Sequence, residues 1–140
     1  MKVYLTRRYG FSASHRLHNE ALSVEENRLT YGKCNNPHGH GHNYFVEITV
    51  SGQVNAQTGM VCNLADLDGW VRENLLERYD HQDLNHLTEF ASKVPTTENL
   101  CVEIYQLLHR SFSHAHLEKV RIEETMMNSF EYSGESPALR

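Results

Sequence analysis

Residues 34–43 have the sequence CNNPHGHGHN, and residues 44–50 continue it as YFVEITV. The first stretch combines three histidines with two glycines, a proline and a cysteine, which is not the composition of an ordinary core segment. Glycine and proline hold the backbone in a tight path, whereas imidazoles are neutral nitrogen ligands suited to zinc. The second stretch has the alternation of a β-strand. We therefore expect a metal-binding loop that runs directly into a strand.

The chain has 140 residues and a formal net charge of −5. This length suits one domain with a hydrophobic core, so we expect a single domain over residues 1–140. An acidic balance argues against a general nucleic-acid-binding protein. No apolar run is long enough to cross a membrane, and the N-terminus lacks the apolar core of a signal peptide. The three cysteines show no close pairing, which favours reduced thiols and a cytoplasmic location.

Basic residues are frequent early in the chain despite its negative net charge. They are Arg7, Arg8, Arg16, Arg28 and Lys33. Each of them on its own is most simply explained as a solvated surface residue. The alternative is that some of them together form a local positive patch facing an anionic ligand. The sequence does not assign any single one of these side chains to such a ligand.

Alternation of apolar and polar residues predicts two long strands. Lys2–His15 alternates with period two, and the parity places His15 on the buried face. Residues 44–54 also alternate, and their parity extends backwards through His42 and His40. We therefore expect all three histidines to lie on the inward faces of their strands.

Turn residues and helical spacing predict the middle of the chain. A turn at residues 55–59 followed by an extended segment at 60–62 predicts a hairpin. Apolar residues three and four apart predict one helix over about 64–79, capped by Asn63, and a second over about 98–112.

The order of these elements indicates the fold class. Residues 17–36 show no clean period and predict a long loop with room for a helical turn. Residues 117–125 alternate again, 130–132 predict a short last strand, and 133–140 predict a frayed tail. The predicted order is strand, strand, helix, helix, strand, strand. This order is typical of an α+β domain, here a four-stranded antiparallel sheet with two helices on one face.

The histidines are the strongest chemical signal. Residues two apart in a strand point the same way, so His40 and His42 can bind one ion together. His15 either supplies a third ligand or packs inward without a metal. Three protein ligands leave one zinc position open, as in catalytic zinc sites. His38 offers the same spacing to His40, but strand parity favours the later pair, and residues 114–116 form a third pair that we expect to be exposed in a loop.

Three other features carry potential chemistry. Cys34 is either a reactive thiol with a lowered pKa near the metal or a small buried residue. Asp80 precedes His81, but neighbours in sequence need not meet, and a histidine is also favoured at a helix C-terminus. Glu124 falls on the apolar face of its strand, so its carboxylate must accept an N–H from a ligand or lie at an exposed strand end.

These residues resemble those of the 6-pyruvoyl tetrahydropterin synthase family. The matching stretches span nearly the whole chain: FSASHRL (11–17), GKCNNP (32–37), GHGHNY (39–44), TGMV (58–61), NLADL (63–67), DH (80–81), TTEN (96–99) and ET (124–125). The resemblance implies zinc on three ligands, His15, His40 and His42. It implies a catalytic group of Cys34, Asp80 and His81. It also implies a pterin ring anchored by Glu124 in a pocket lined by Thr97 and Glu98.

The resemblance also implies an architecture and a reaction. Family members have the tunnelling fold, in which the sheets of several subunits join into a barrel, typically a trimer or a hexamer. Because the family's active site lies between subunits, Asp80 and His81 would serve a neighbour's Cys34. The expected reaction converts 7,8-dihydroneopterin triphosphate to 6-pyruvoyl-tetrahydropterin with loss of triphosphate.

Two alternative functions remain open at this point. The related 6-carboxy-tetrahydropterin synthase of queuosine biosynthesis shares the fold and zinc but releases acetaldehyde, and its shorter Cys-x-x-x-His-Gly-His pattern is also present because of His38. Five residues separate Cys34 from His40, which together with the flanking asparagines favours the pyruvoyl enzyme. A non-catalytic zinc or pterin-binding module is the other alternative, although such a module needs none of Cys34, Asp80 and His81.

Overall fold

The computed structural model describes residues 1–135, and its centre is a long antiparallel strand pair. Strand β1 (Lys2–His15) pairs with β2 (His40–Gln53) along their whole length, from Lys2 opposite Gln53 to His15 opposite His40. Both alternation predictions are confirmed. The inward residues of β2 from Tyr44 to Val50 are fully buried, and His15 is 2% exposed.

The sheet has five strands, so the prediction of a four-stranded antiparallel sheet is wrong. Strands β3 (Gln82–Asp83), β4 (His116–Thr125) and β5 (Asn128–Tyr132) complete it in the order β3-β1-β2-β4-β5. β3 runs parallel to β1, whereas the other neighbours are antiparallel. β3 has only two residues, both exposed, so it lacks the alternation by which a strand is recognised in sequence.

Two helical segments, residues 64–79 and 97–111, bury apolar side chains against this sheet, whereas a third helix, residues 24–31, contributes none to the core. Helix α1 (Val24–Tyr31) precedes β2, and α2 (Leu64–Val71) continues through a π-helical turn (Arg72–Leu76) into a last helical turn, α3 (Glu77–Tyr79). The predicted helix at 64–79 is thus one continuous helical segment. Helix α4 (Thr97–Ser111) begins and ends one residue before the predicted bounds.

The core lies between the sheet and these helices. Its fully buried side chains come from both layers and include Val46, Ile48, Val120, Leu67, Leu75, Leu100 and Ile104. Burying each such aliphatic side chain contributes roughly 1.5–3 kcal/mol. The same packing fixes the strands that end in the candidate site.

The segment between β1 and β2 is more ordered than the sequence predicts. It contains α1 and a 3₁₀ turn (Gly32–Asn35). Ser23 and Glu26 cap α1 reciprocally. The only buried residue of α1 is Asn27, whose side chain donates to three carbonyl groups. A helix without an apolar face gives no periodic signal, which explains why it was predicted as a loop.

The predicted hairpin after β2 is wrong. The side chain of Asn55 accepts hydrogen bonds from the N–H groups of Gln57 and Thr58, and the turn closes at Gly59 with φ of +72°. Residues 60–62 then lead to α2 without forming a strand. The predicted tail lies partly outside the described residues, which end at 135. Within them, no helix has the length and apolar character needed to span a membrane.

Candidate active site

Strand register assembles three histidines at one end of the β1–β2 pair. His15 lies opposite His40, and Ala13 lies opposite His42. Because His40 and His42 share one face of β2, all three imidazoles converge, with ring centroids 4.6 to 5.1 Å apart. One ligand nitrogen from each ring lies within 4.8 Å of the others. His38 precedes the strand, is exposed and lies outside this cluster.

The protein holds His15 in one tautomer. Its Nδ1 lies 2.8 Å from the carbonyl oxygen of Pro95, which can only accept, so the proton of a neutral His15 resides on Nδ1. The Nε2 lone pair therefore points to the other histidines, and it lies 2.9 Å from Nε2 of His40. A backbone carbonyl on the non-ligating nitrogen is the usual support of a metal-binding histidine.

The histidine cluster fits a metal ion electrostatically. Burial lowers the pKa of His15 and, with the neighbouring His42, that of His40. Both rings are therefore neutral near pH 7 and present lone pairs, as metal binding requires. Three imidazoles, with no fourth ligand from residues 1–135, match the donor set of an open zinc site.

A carboxylate lies beside this cluster at the end of β4. The β4–β5 pairing shifts register between Glu123 and Thr125, so Glu124 is the extra residue of a bulge. Its side chain is 17% exposed, with Oε2 4.0 Å from Nε2 of His42. The hydroxyl of Thr97, at the start of α4, donates to the same oxygen. Asn128 donates to Oε1 at 3.2 Å.

Glu124 is held ionised by these neighbours. Burial alone raises its pKa, but the hydrogen bonds from Thr97 and Asn128 and the nearby His42 outweigh burial, so the pKa lies below its ordinary value. A half-buried carboxylate with fixed oxygens is suited to accept N–H groups from a flat heterocycle. The role of Asn128 was missed in the sequence, although an amide in the turn after Glu124 is a usable signal.

Asp80 and His81 meet, and they dock on β1. Nδ1 of His81 lies 3.0 Å from Oδ1 of Asp80. The backbone of Ser12 clamps the pair, because its N–H donates to Oδ1 of Asp80 at 2.9 Å and its carbonyl accepts from the N–H of His81 at 2.6 Å. The Ser12 N–H is the main reason that the pKa of Asp80 is lowered.

His81 has an unusual backbone and an open side chain. It is the one non-glycine residue within 1–135 with a positive φ, 62°, a conformation that costs energy and is concentrated at functional sites. Its side chain is 82% exposed. With Asp80 on Nδ1, Nε2 is free to exchange a proton with a group outside. His81 and His42 line the same cavity of about 530 Å³.

Two predicted site residues lie apart from these clusters. Cys34 is half-buried in the 3₁₀ turn before β2, and among residues 1–135 its thiol has no hydrogen-bond partner. Glu98 is exposed in the first turn of α4, without a hydrogen bond or ion pair to the described part of the chain. Within residues 1–135, neither forms a hydrogen bond or an ion pair with Asp80 or His81, whereas Thr97 donates a hydrogen bond to Glu124.

The fold and the site define a class of protein. It is an α+β protein in which paired strands present a three-histidine cluster able to hold a metal ion, beside a half-buried carboxylate. The family model described as 6-pyruvoyl tetrahydropterin synthase matches residues 4–135. The chain belongs to the 6-pyruvoyl tetrahydropterin synthase family.

Relatives cover nearly the whole chain. It is 47% identical over 135 residues to the 6-pyruvoyl tetrahydrobiopterin synthase of Homo sapiens, covering 96% of this chain and 93% of that protein. The solved structure of Caenorhabditis elegans 6-pyruvoyl tetrahydropterin synthase superposes with a TM-score of 0.91 at 40% identity, covering 96% and 97% of the two chains. A putative 6-carboxy-5,6,7,8-tetrahydropterin synthase from Archaeoglobus fulgidus matches only 49% of this chain, at 41% identity.

Proposed function

We propose that this protein is a zinc-dependent lyase that converts 7,8-dihydroneopterin triphosphate to 6-pyruvoyl-tetrahydropterin and triphosphate. The position of Glu124, 4.0 Å from His42 in the histidine cluster, carries the proposal. A pterin ring offers N–H donors that this carboxylate can accept, and the ring's side chain would then lie at the metal. Family membership and the full-length animal relatives support the same reaction.

The metal would be Zn²⁺ on His15, His40 and His42. Bound there, it would supply Lewis-acid polarisation of the substrate's side-chain oxygens, which acidifies the neighbouring C–H groups. The chain supports such an ion through the neutral rings and through the Pro95 carbonyl that orients His15.

The pterin ring would be oriented by residues of β4 and α4. Glu124 would accept ring N–H groups, and Thr97 would hold that carboxylate in place. Glu98, exposed one residue further along α4, would line the outer side of the pocket. Fixing the ring in this way positions the reacting side chain, which reduces the entropic part of the activation barrier.

Proton transfer would fall to Cys34 and to the Asp80–His81 pair. The thiolate of Cys34 would take a proton from a side-chain carbon. His81 would return or relay a proton through Nε2, while Asp80 on Nδ1 orients the ring and stabilises its charged form. Three free cysteines suit a reducing compartment such as the cytoplasm.

A complete site would need a second copy of this chain. Within residues 1–135 no hydrogen bond joins Cys34 to His81, and the His81 side chain is 82% exposed. We propose a trimer or hexamer with the barrel of the tunnelling fold, in which His81 serves a neighbour's Cys34. Mixing inactive Cys34→Ala subunits with inactive His81→Ala subunits should restore part of the activity, because some interfaces then contain both residues. Mixtures as inactive as their parents would contradict a shared site.

Identifying the product tests the proposed reaction. The purified protein is incubated with 7,8-dihydroneopterin triphosphate, and products are identified by mass together with released triphosphate or acetaldehyde. A product with the mass of 6-pyruvoyl-tetrahydropterin and free triphosphate is expected. Acetaldehyde would instead identify the 6-carboxy-tetrahydropterin reaction, and absence of turnover would leave a binding module.

A further inference from the structure

A cavity beside the Cys34 turn is lined by cations without a carboxylate. Its volume is about 360 Å³, and its charged lining residues are Arg16, Arg28 and Lys33. Asn36 and Pro37 form part of the remaining wall. We name this feature the basic cavity. It joins the end of α1 to the start of the segment that leads into β2.

The cations of the basic cavity have no carboxylate partner among the described residues, unlike most lysines and arginines there. Of the twelve lysines and arginines within residues 1–135, seven lie within 4.0 Å of a described carboxylate. Five do not, and three of those five line this one cavity. In a chain with a net charge of −5, such a concentration of unpaired positive charge makes a local field that attracts anions.

The arginine nearest the histidine cluster is held in position. The backbone of Arg16 is clamped by the side chain of Asn85, at 2.7 Å to its N–H and 2.9 Å to its carbonyl. Nε of Arg16 donates to the carbonyl of Asn35 at 3.1 Å. Among the described residues, the rest of the guanidinium has no acceptor. A pre-positioned fork of N–H donors matches the geometry of phosphate oxygens.

The dipole of α1 explains the position of only one of the three cations in the basic cavity. Arg28 lies in the last turn of α1, where a cation is favoured by the helix dipole. That explanation does not extend to Arg16, which follows β1. It also does not explain why Lys33 and Arg16 line the same cavity from opposite ends of the β1–β2 connection.

A second cavity on the other side of Arg16 is less suited to an anion. It is larger, about 630 Å³, but its lining includes the carboxylate of Glu20. Its lysine, Lys93, forms an ion pair with Glu103. The basic cavity therefore has the more favourable charge for a polyphosphate.

We infer that the basic cavity binds the triphosphate arm of the substrate and the triphosphate released from it. This inference rests on the proposed function, which supplies the substrate. Consecutive Cα atoms lie about 3.8 Å apart, and Arg16 follows His15 while Lys33 precedes Cys34. The cavity is thus lined by the direct sequence neighbours of a candidate metal ligand and of the candidate base, so an anion bound there would lie against the two segments between which the substrate's side chain reacts.

Binding of inorganic triphosphate tests the inference directly. Calorimetry compares the wild type, Arg28→Gln/Lys33→Gln and the control Arg72→Gln/Arg110→Gln, with metal content matched. The control removes the two arginines that, within residues 1–135, lie outside the basic cavity and have no carboxylate within 4.0 Å. We expect the dissociation constant to rise at least about tenfold in the cavity variant and less than about threefold in the control. Charge-retaining Arg28→Lys/Lys33→Arg should bind within about threefold of the wild type, and thermal unfolding verifies that each variant is folded.

Three results would overturn the inference. They are no binding by the wild type at millimolar triphosphate, equal weakening in the cavity and control variants, and unchanged binding by the cavity variant. Kinetics separate this failure from failure of the proposed function. If the substrate turns over but KM is the same in both double variants, the reaction stands and the site is wrong. If triphosphate binding follows the expected order without any turnover, the proposed reaction is wrong and the anion site stands.

Discussion

The two polar clusters of this protein flank the same end of β1, yet they are built in opposite ways. On the β2 side, the histidine cluster is enclosed, and strand register places its three rings together. On the β3 side, Asp80 and His81 dock on the backbone of Ser12 and leave the imidazole 82% exposed. The three rings of the first cluster meet within one chain, whereas the second cluster is open to solvent.

This difference teaches what each cluster can do alone. Three converging imidazoles, one of them buried and held in a single tautomer by the Pro95 carbonyl, are prepared to hold an ion without further help. An exposed histidine backed by a carboxylate can exchange protons only with a group that arrives from elsewhere. We therefore expect changes in the histidine cluster to affect metal content, and changes in the Asp80–His81 pair to affect turnover alone.

His40→Ala should have the largest effect. It removes one of three nitrogen donors, so bound metal should fall to near zero and turnover should drop on the order of 10⁴-fold, since metal polarisation supplies several kcal/mol of the barrier reduction. His38→Ala is the matched control, because His38 is exposed and outside the cluster. Metal analysis and product formation are measured on both. Metal content that is unchanged by His40→Ala would contradict the assignment.

Cys34→Ala should strongly reduce turnover without changing the metal content. Loss of a positioned base reduces turnover about 10³-fold, while the three imidazoles remain. Cys62, which is also half-buried, provides the control Cys62→Ala. Equal loss of activity in both variants would indicate a structural effect and would argue against a special role for Cys34.

Asp80→Asn should weaken the exposed pair more modestly. The amide can keep the hydrogen bond from Ser12 but loses the charge that stabilises a protonated His81, so we expect kcat to fall about 10- to 100-fold. KM and metal content should change little, because neither the histidines nor Glu124 contact Asp80. A loss of metal in this variant would remove the distinction between the two clusters.

Thr97→Val should act on substrate affinity. It deletes the hydroxyl that donates to Glu124. A half-buried carboxylate that loses this donor holds the pterin ring less firmly, so we expect KM to rise about tenfold. Thr97→Ser retains the hydroxyl and should restore KM towards the wild-type value. A valine variant with unchanged KM would show that Glu124 needs no support from α4.

Asp68→Asn should have the smallest effect, because it lies outside both clusters. Hydrogen bonds from Arg7 and Tyr9 lower the pKa of Asp68 below its ordinary value of 3.8. A carboxyl group whose pKa is lower in the folded than in the unfolded protein stabilises the fold at any pH above its pKa in the unfolded chain. This stabilisation is lost as the pH falls through the pKa of the folded state. We expect Asp68→Asn to lower the free energy of unfolding by about 1 kcal/mol or less at pH 7, since the side chains of Arg7 and Asp68 are both partly exposed.

Urea unfolding of the wild type and Asp68→Asn at neutral and acidic pH measures this contribution. The difference in unfolding free energy should shrink as the pH falls below 3.8. Turnover at pH 7 should be the same for both proteins. A difference that grows on acidification would contradict the sign derived from the lowered pKa.

Periodicity predicted the elements that bury an apolar face. The alternation of Lys2–His15 and of the residues after His42 was sufficient to place three histidines inward, and both are confirmed as strands. Elements without such a face were missed. α1 buries only Asn27, and β3 consists of two exposed residues, so neither leaves a pattern in the sequence.

The site residues that periodicity could predict are likewise those on strands with a buried face. The choice of His40 and His42 over His38 followed from parity, and the structure groups those two with His15. The meeting of Asp80 with His81 could not be derived, because it depends on the left-handed backbone of His81 and on two hydrogen bonds to Ser12. Backbone contacts of this kind are independent of the identity of Ser12's side chain.

The sequence alone determined the long strands, the two main helices, the inward histidines and the resemblance to a pterin enzyme family. Tertiary structure alone decided that the Pro95 carbonyl orients His15, that Thr97 reaches Glu124 and that Arg16, Arg28 and Lys33 line one cavity. The reason is physical. Residue period records which side of an element is buried, whereas contacts between distant segments depend on how all the elements pack together.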